Sequence, residues 1–272
     1  MQQILSNRII TLSESETLAM SKKSRALESQ GINVINLSIG EPDFFTPDYI
    51  KTAGKKAIDD NFSKYSPVSG YADLREAICR KLLRDNNITF KPSQIVVSTG
   101  AKQSLSNVML ALVNPGDEVI VPSPYWVSYK EMIKLAEGKP RFIKTTIESR
   151  FKITPEQLEA TITPKTKLFL FSSPSNPTGT VYSKAELRAL ADVFARNKHV
   201  YILSDEIYEL INFNGKHESI SQFEDIRDNV IIVNGVSKGF AMTGWRLGYI
   251  AAPQFISDAC DKLQGQITSG TC

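Results

Sequence analysis

The chain reads as an α/β protein, a mostly parallel sheet with helices on both faces. Three observations predict it. Short apolar runs at 95–99, 118–122, 167–171, 201–204 and 230–233 have the length and composition of buried strands. Longer amphipathic stretches separate them, the alternation expected of parallel strands joined by crossover helices. The strands also hand on, at or just past their ends, to residues that can carry chemistry: Thr99, Trp126, Asn176, Asp205 and Lys238. In such a sheet the carboxyl ends of the strands line one crevice, and ligands bind there.

The elements follow in order. Residues 16–30 form an amphipathic pattern that stops at Gly31, so a helix is expected there. The alternation from Ile32 to Gly40 predicts a strand, broken by Glu41-Pro42-Asp43. Pro47 opens a helix to about residue 61, and Asp73 begins another after the loop Lys64-Tyr65-Ser66-Pro67-Val68-Ser69-Gly70. The strand at 95–99 runs into Gly100-Ala101-Lys102 and a helix to 113. A strand, a small-residue turn and a helix N-terminus make an anion site from backbone N–H groups. Beyond the strand at 118–122, residues 125–137 read as helix, 141–144 as strand and Thr154-Pro155 as a helix start. A helix at 183–197 precedes the strand that ends in Asp205-Glu206-Ile207-Tyr208. The run 230–233 delivers Ser237-Lys238, Arg246 is expected inside a second strand-like run that continues to Ala252, and Pro253 starts the last helix, to about 266.

Composition sets bounds on function. The chain has 272 residues, 42% hydrophobic and 22% charged, which is ordinary for a globular protein. A net charge of +3 gives no reason to expect nucleic acid or an anionic membrane as partner. No stretch of about 18 apolar residues occurs, and the N-terminus lacks the basic-then-apolar pattern of a secretory signal. Cys79, Cys260 and Cys272 have no metal-ligand spacing and read as reduced thiols, so a cytoplasmic protein is expected. His199 and His217 have neither metal-like spacing nor a triad partner in the sequence, and read as structural or exposed.

The chemistry concentrates at Ser237-Lys238 and Arg246. A lysine just past a strand end can be held partly desolvated, which makes its amine a nucleophile and a base. An arginine nearby can clamp a phosphate through two parallel hydrogen bonds. Together with the Gly100-Ala101 turn it gives a phosphate two independent sources of positive potential. Lysine plus phosphate clamp is what pyridoxal phosphate asks of a protein. No G-x-G-x-x-G and no Walker loop is present, which argues against a dinucleotide or nucleoside triphosphate.

The run S-K-x-x-x-x-T-G-W-R-x-G from Ser237 to Gly248 resembles the lysine motif of class I aminotransferases, the fold type I pyridoxal phosphate enzymes. Other stretches fit in the same order: G-E-P-D at Gly40, the Tyr65 loop, N-P-T-G at Asn176 and D-E-x-Y at Asp205. The nearest branch is the bacterial aspartate and aspartate/prephenate aminotransferases. The resemblance implies a sheet of seven strands, and it implies that Lys238 holds pyridoxal 5'-phosphate and moves the α-proton. It implies that Asp205 pairs with the ring nitrogen, Asn176 and Tyr208 hold the phenolic oxygen, and Trp126 stacks on the ring. Arg246, Gly100, Ala101 and Lys102 are implied at the phosphate end, with Tyr65 reaching the phosphate of the neighbouring subunit in a homodimer. Gly40, Trp126 and Asn176 are implied against the substrate. Ser15, Thr17 and Lys102 match positions that hold a distal carboxylate. The expected reaction is ping-pong transfer of an amino group from an L-amino acid, most simply aspartate, to 2-oxoglutarate, with no metal. A lyase or synthase of the same fold, an aromatic or prephenate aminotransferase, and a non-catalytic cofactor-binding module are the other readings. The expected division is residues 1–45 as an N-terminal arm and start of a small domain, and 46–272 as the large cofactor-binding domain. Enzymes of this kind run on past residue 272, so a fragment lacking most of the small domain is expected.

Overall fold

The computed structural model describes residues 4–14, 16–37 and 40–272, without the side chains of residues 16–18. Its strands are β1 (Ile95–Ser98), β2 (Glu118–Ser123), β3 (Lys139–Lys144), β4 (Thr166–Ser172), β5 (Tyr201–Asp205), β6 (Val230–Gly235) and β7 (Gly248–Ala251). They form one seven-stranded sheet in the order β1-β7-β6-β5-β4-β2-β3. β7 runs antiparallel to both neighbours, and the remaining pairings are parallel. The start of β7 therefore lies at the same edge of the sheet as the ends of the other strands.

The helices are α1 (Asn7–Thr11), α2 (Glu16–Glu28), α3 (Asp48–Asp59), α4 (Ala72–Asn86), α5 (Ala101–Leu112), α6 (Ser128–Leu135), α7 (Pro155–Thr161), α8 (Lys184–Arg196) and α9 (Gln254–Ile267). Helices cover both faces of the sheet, so the central strands are apolar on both sides rather than alternating. Along β4, Phe169 and Phe171 point to one core with Leu187 and Phe194 of α8 and Leu82 of α4. Leu168 and Leu170 point to the other, with Leu105 and Met109 of α5 and Ile256 of α9. β6 divides the same way, Val230 and Ile232 against Ile231 and Val233. Period-two side chains of one strand thus serve two cores, which fixes its register.

Local signals set the helix ends. Ser183 accepts a hydrogen bond from the Glu186 N–H while the Glu186 carboxylate accepts from the Ser183 N–H at 2.7 Å, a capping box that starts α8. Thr154 and Gln157 do the same for α7. Asn87 closes α4 in the left-handed conformation, φ 57°.

The sequence and structure part at the N-terminal side. Residues 32–37 and 40 form no strand, and Ile35 and Leu37 are 86% and 90% exposed. Alternation makes a strand only where a neighbour completes its hydrogen bonds, and the sheet edges β1 and β3 do not take this segment. Arg246 also stands outside the strand expected to contain it: it is left-handed, φ 56°, and precedes β7. The helix expected from 125 begins at Ser128. Among the described residues no helix is long and apolar enough to cross a membrane.

Candidate active site

β5 and β6 lie side by side with Asp205 opposite Val233, so the ends of these strands deliver Asp205 and Lys238 to the same place. Both line a cavity of about 540 Å3, together with Ala101, Trp126, Asn176 and Arg246. Lys238 rises from a helical turn in which Phe240 N–H donates to Val236 O at 3.2 Å and Met242 N–H to Ser237 O at 3.1 Å. Its Nζ donates to the carbonyl of Gly40 at 2.5 Å and lies 5.6 Å from the ring centroid of Tyr208. Burial lowers its pKa, Arg246 adds to that, and the charges of Glu41 and Asp205 oppose it. A lysine with a lowered pKa is the form suited to nucleophilic and base chemistry.

Asp205 closes the floor of the cavity, buried at 4% exposure. Its contacts are neutral donors: the Tyr129 hydroxyl at 2.7 Å and the Ile207 N–H at 3.2 Å. Burial pushes its carboxyl up to about 6, against the hydrogen bonds from Tyr129 and Ile207. The floor is therefore an acid that lacks a cation in contact among the described residues. Tyr129 is fully buried, and burial together with the Asp205 charge pushes its phenol well up, so it stays a donor. Sequence reasoning missed Tyr129. Its one signal is position, one helical turn beyond Trp126.

The opposite end is built for an anion. Gly100 precedes α5 at φ 83°, a conformation that favours glycine. A Cβ on Gly100 would lie 2.1 Å from Nη2 of Arg246, and one on Gly248 would lie 2.2 Å from the Ala101 nitrogen. Guanidinium, helix N-terminus and the start of β7 are thus in contact through two glycines. Arg246 Nη1 donates to Thr243 O at 2.7 Å, and the Thr243 hydroxyl donates to Glu41 at 2.9 Å, so Thr243 ties the guanidinium to the Gly40-Glu41 segment. Gly100→Ala is expected to displace Arg246 and weaken phosphate-ester binding by at least about tenfold, each 1.4 kcal/mol being tenfold. Equilibrium binding of pyridoxal 5'-phosphate to the variant checks this; wild-type affinity would show that the guanidinium is not held there in solution.

Between the two ends, Trp126 lines the wall and meets Tyr129 edge-on at 5.5 Å between centroids. Asn176 hydrogen-bonds Tyr208, whose phenol is raised by burial and by Asp205. The Lys102 amine stands 4.9 Å from the Trp126 ring centroid, and burial and then Arg246 lower its pKa. Gly40 reaches the cavity through its carbonyl. Tyr65 is not brought there by its own chain; its side chain is 100% exposed. Ser15 and the Thr17 side chain lie outside the described residues. His217, read from the sequence as structural or exposed, is structural, with a partner that no motif announces. It is buried with Nε2 3.1 Å from Glu206, and only the fold brings together residues eleven positions apart.

The family profile described as aminotransferase class I and II matches residues 32–272. The chain belongs to this family. Within it, the chain is similar to the aspartate/prephenate aminotransferase of Cereibacter sphaeroides, 48% identical over 270 residues, 98% of this chain and 68% of the relative. It is similar to the aspartate aminotransferase of Bacillus subtilis, 46% identical over 267 residues, 97% of this chain and 68% of the relative. The solved aspartate aminotransferase from Thermus thermophilus with maleate superposes at a TM-score of 0.96 with 40% identity, covering 99% of this chain and 70% of that one. The chain thus spans about two thirds of the length of these aminotransferases. The family likeness makes amino-group transfer its activity, on a fold type I scaffold.

Proposed function

We propose that this aminotransferase uses pyridoxal 5'-phosphate to move the amino group of aspartate to 2-oxoglutarate. One observation carries the reading: a half-buried lysine and a buried aspartate, with no cation in contact among the described residues, face one cavity, which ends in an arginine packed on a helix N-terminus. The donor set fits the cofactor. A protonated ring nitrogen would give Asp205 the cation it lacks, and the glycine-lined cradle at Arg246 offers a phosphate N–H donors and a positive charge. When bound, the cofactor supplies an electron sink for charge that develops at the substrate α-carbon.

The protein's residues do the rest. Lys238 is the group that would bond the cofactor, and its freed amine is the base placed to move the substrate α-proton. Asp205 would keep the ring nitrogen protonated, Asn176 and Tyr208 would hold the phenolic oxygen, and Trp126 would lie against the ring. Arg246 with the Gly100 and Ala101 amides fixes the phosphate, and the Gly40 carbonyl borders the substrate. The 2-oxo acid product leaves before the acceptor enters, which is ping-pong kinetics.

Aspartate is supported by Lys102, an ammonium on the cavity wall at a helix N-terminus, where the dipole disfavours a cation unless an anion is near. Ser15 and Thr17 are proposed to share that carboxylate. The names of the relatives favour prephenate as a second acceptor. Lys102→Ala is expected to raise KM for aspartate about tenfold more than KM for an aromatic donor. An equal effect on both would remove the distal-carboxylate role. A panel of amino donors with 2-oxoglutarate tests the whole reading: aspartate should yield oxaloacetate and glutamate, whereas pyruvate and ammonia from a β-substituted donor would mark a lyase.

We infer a homodimer in which Tyr65 of the partner subunit reaches the phosphate. The fully exposed Tyr65 supports it, as do Phe45, Tyr49, Ile58 and Phe62, apolar side chains 62–91% exposed on the same part of the chain. Residues 46–272 are proposed as the large cofactor-binding domain and 1–45 as the N-terminal arm and start of a small domain. A reducing, cytoplasmic setting is supported by three free cysteines.

A further inference from the structure

Behind the active site, on the side of the β5 end away from the cavity, lies a buried ionic cluster that the proposed chemistry does not use. Asp205 to Glu209 leave β5 in a tight turn, with Glu209 N–H donating to Glu206 O at 3.0 Å and Ile211 N–H to Tyr208 O at 2.8 Å. In such a turn side chains three residues apart share a side. Asp205 and Tyr208 therefore face the cavity together, while Glu206 and Glu209 face away together, 1% and 7% exposed.

Both carboxylates are bound from other elements. Glu206 Oε1 accepts from the Ser219 hydroxyl at 2.6 Å and the Ser204 hydroxyl at 3.0 Å, and its Oε2 lies 3.1 Å from His217 Nε2. Glu209 is in contact with the Lys81 ammonium of α4 and accepts from Asn86 Nδ2 at 3.4 Å. Burial alone would raise the Glu206 carboxyl, but the His217 charge and the donors around it win and hold it below the usual range. Burial works against charging His217, and the Glu206 carboxylate overcomes it, raising the imidazole above its ordinary value. The ligand atoms of Glu206, Glu209 and His217 lie within 4.8 Å of one another, as in a metal site. Here, however, the two acids already have two cations, Lys81 and His217. A buried pair of this kind adds little net stability, while losing one partner leaves a charge stranded. What it fixes is geometry.

We propose that Glu206 and Glu209, anchored by His217, Ser219 and Lys81, are positioning residues that hold Tyr208 in the cavity beside Lys238. The proposal rests on the aminotransfer reading for what Tyr208 does there. Tyr208 sits between the two anchors in sequence, two residues after one and one before the other. Its backbone, and with it the direction in which the ring leaves the turn toward the Lys238 amine 5.6 Å away, can change only if the turn rotates, and rotation would pull a carboxylate from its cation.

Two measurements test it on the full chain. With 3-fluorotyrosine incorporated and the Tyr208 resonance assigned by Tyr208→Phe, His217→Gln and the milder Ser219→Ala should shift and broaden that resonance in cofactor-free protein. His217→Gln keeps a donor to Glu206 and removes the charge; Ser219→Ala leaves Glu206 two other partners. In cofactor-loaded protein both variants should move the pH midpoint of the visible band in the direction that Tyr208→Phe moves it, and add nothing in a Tyr208→Phe background. kcat should fall about tenfold with KM little changed, the loss expected of a slightly misplaced group. An unmoved Tyr208 resonance in folded variants overturns the clamp, and so does a midpoint shift that is the same with and without Tyr208. If the wild type forms no visible band on Lys238, the aminotransfer reading fails instead, and the fluorine spectra still decide the clamp.

Discussion

Lys238→Ala is expected to lower transamination by at least about 10³-fold, the combined effect of losing the bonding amine and the base that moves the α-proton. The cavity is otherwise unchanged by the truncation, because Lys238 carries no buried ion pair among the described residues and its one hydrogen bond goes to Gly40 O. Cofactor should still enter through the Arg246 end, so binding and turnover separate in this variant. Borohydride treatment of the wild-type holo protein should fix the cofactor on Lys238. Lys102 lines the same cavity and is the competing amine. Label found on Lys102 would sink the assignment.

Asp205→Asn is expected to cut turnover by about 10²-fold or more, while cofactor occupancy falls far less. The amide has the shape of the carboxyl: its one oxygen can keep the Ile207 N–H, and its NH2 takes the place of the oxygen that faces Tyr129 and can donate to that hydroxyl, so the main loss is the charge. A near-wild-type rate would reduce Asp205 to a turn cap. The same substitution has a readout in stability. The Asp205 carboxyl is raised to about 6 in the folded chain, above its unfolded value, so its contribution to stability is present at acid pH and lost as pH rises through about 6. At neutral pH the buried carboxylate is then a burden on the ligand-free fold. Asp205→Asn should raise the melting temperature of cofactor-free protein at pH 7.5 and leave it little changed at pH 4. A drop at pH 7.5 would mean that the charge is already balanced within the chain.

Much of this was legible in the residues because it is local. Buried strands announce themselves as short apolar runs, and Asp205, Asn176 and Lys238 each stand at or just beyond one. What was not legible depends on partners far away in sequence. The alternation at 32–40 looks like a strand, but no edge of the sheet receives it. Tyr129 gives no motif because its role is a hydrogen bond to a residue 76 positions on. His217 looked isolated because Glu206 and Lys81 come to it from different elements. The pocket roles of Ser15, Thr17 and Tyr65 rest on likeness to the family, since the fold of one chain does not bring Tyr65 to the cavity.

The reversed direction of β7 has a consequence for how the chain can be rebuilt. Because β6 ends and β7 begins at the same edge, one short excursion of backbone, residues 236–247, carries both the amine and the guanidinium. The spacing between the two is a property of that single loop, closed at its neck where Gly235 and Gly248 stand opposite each other. New termini or an inserted domain placed in this loop would therefore separate the two ends of the cofactor at once. The tips at the far edge, such as the turn at Gly116, touch neither, and are where the chain can be opened or lengthened with the catalytic spacing left whole.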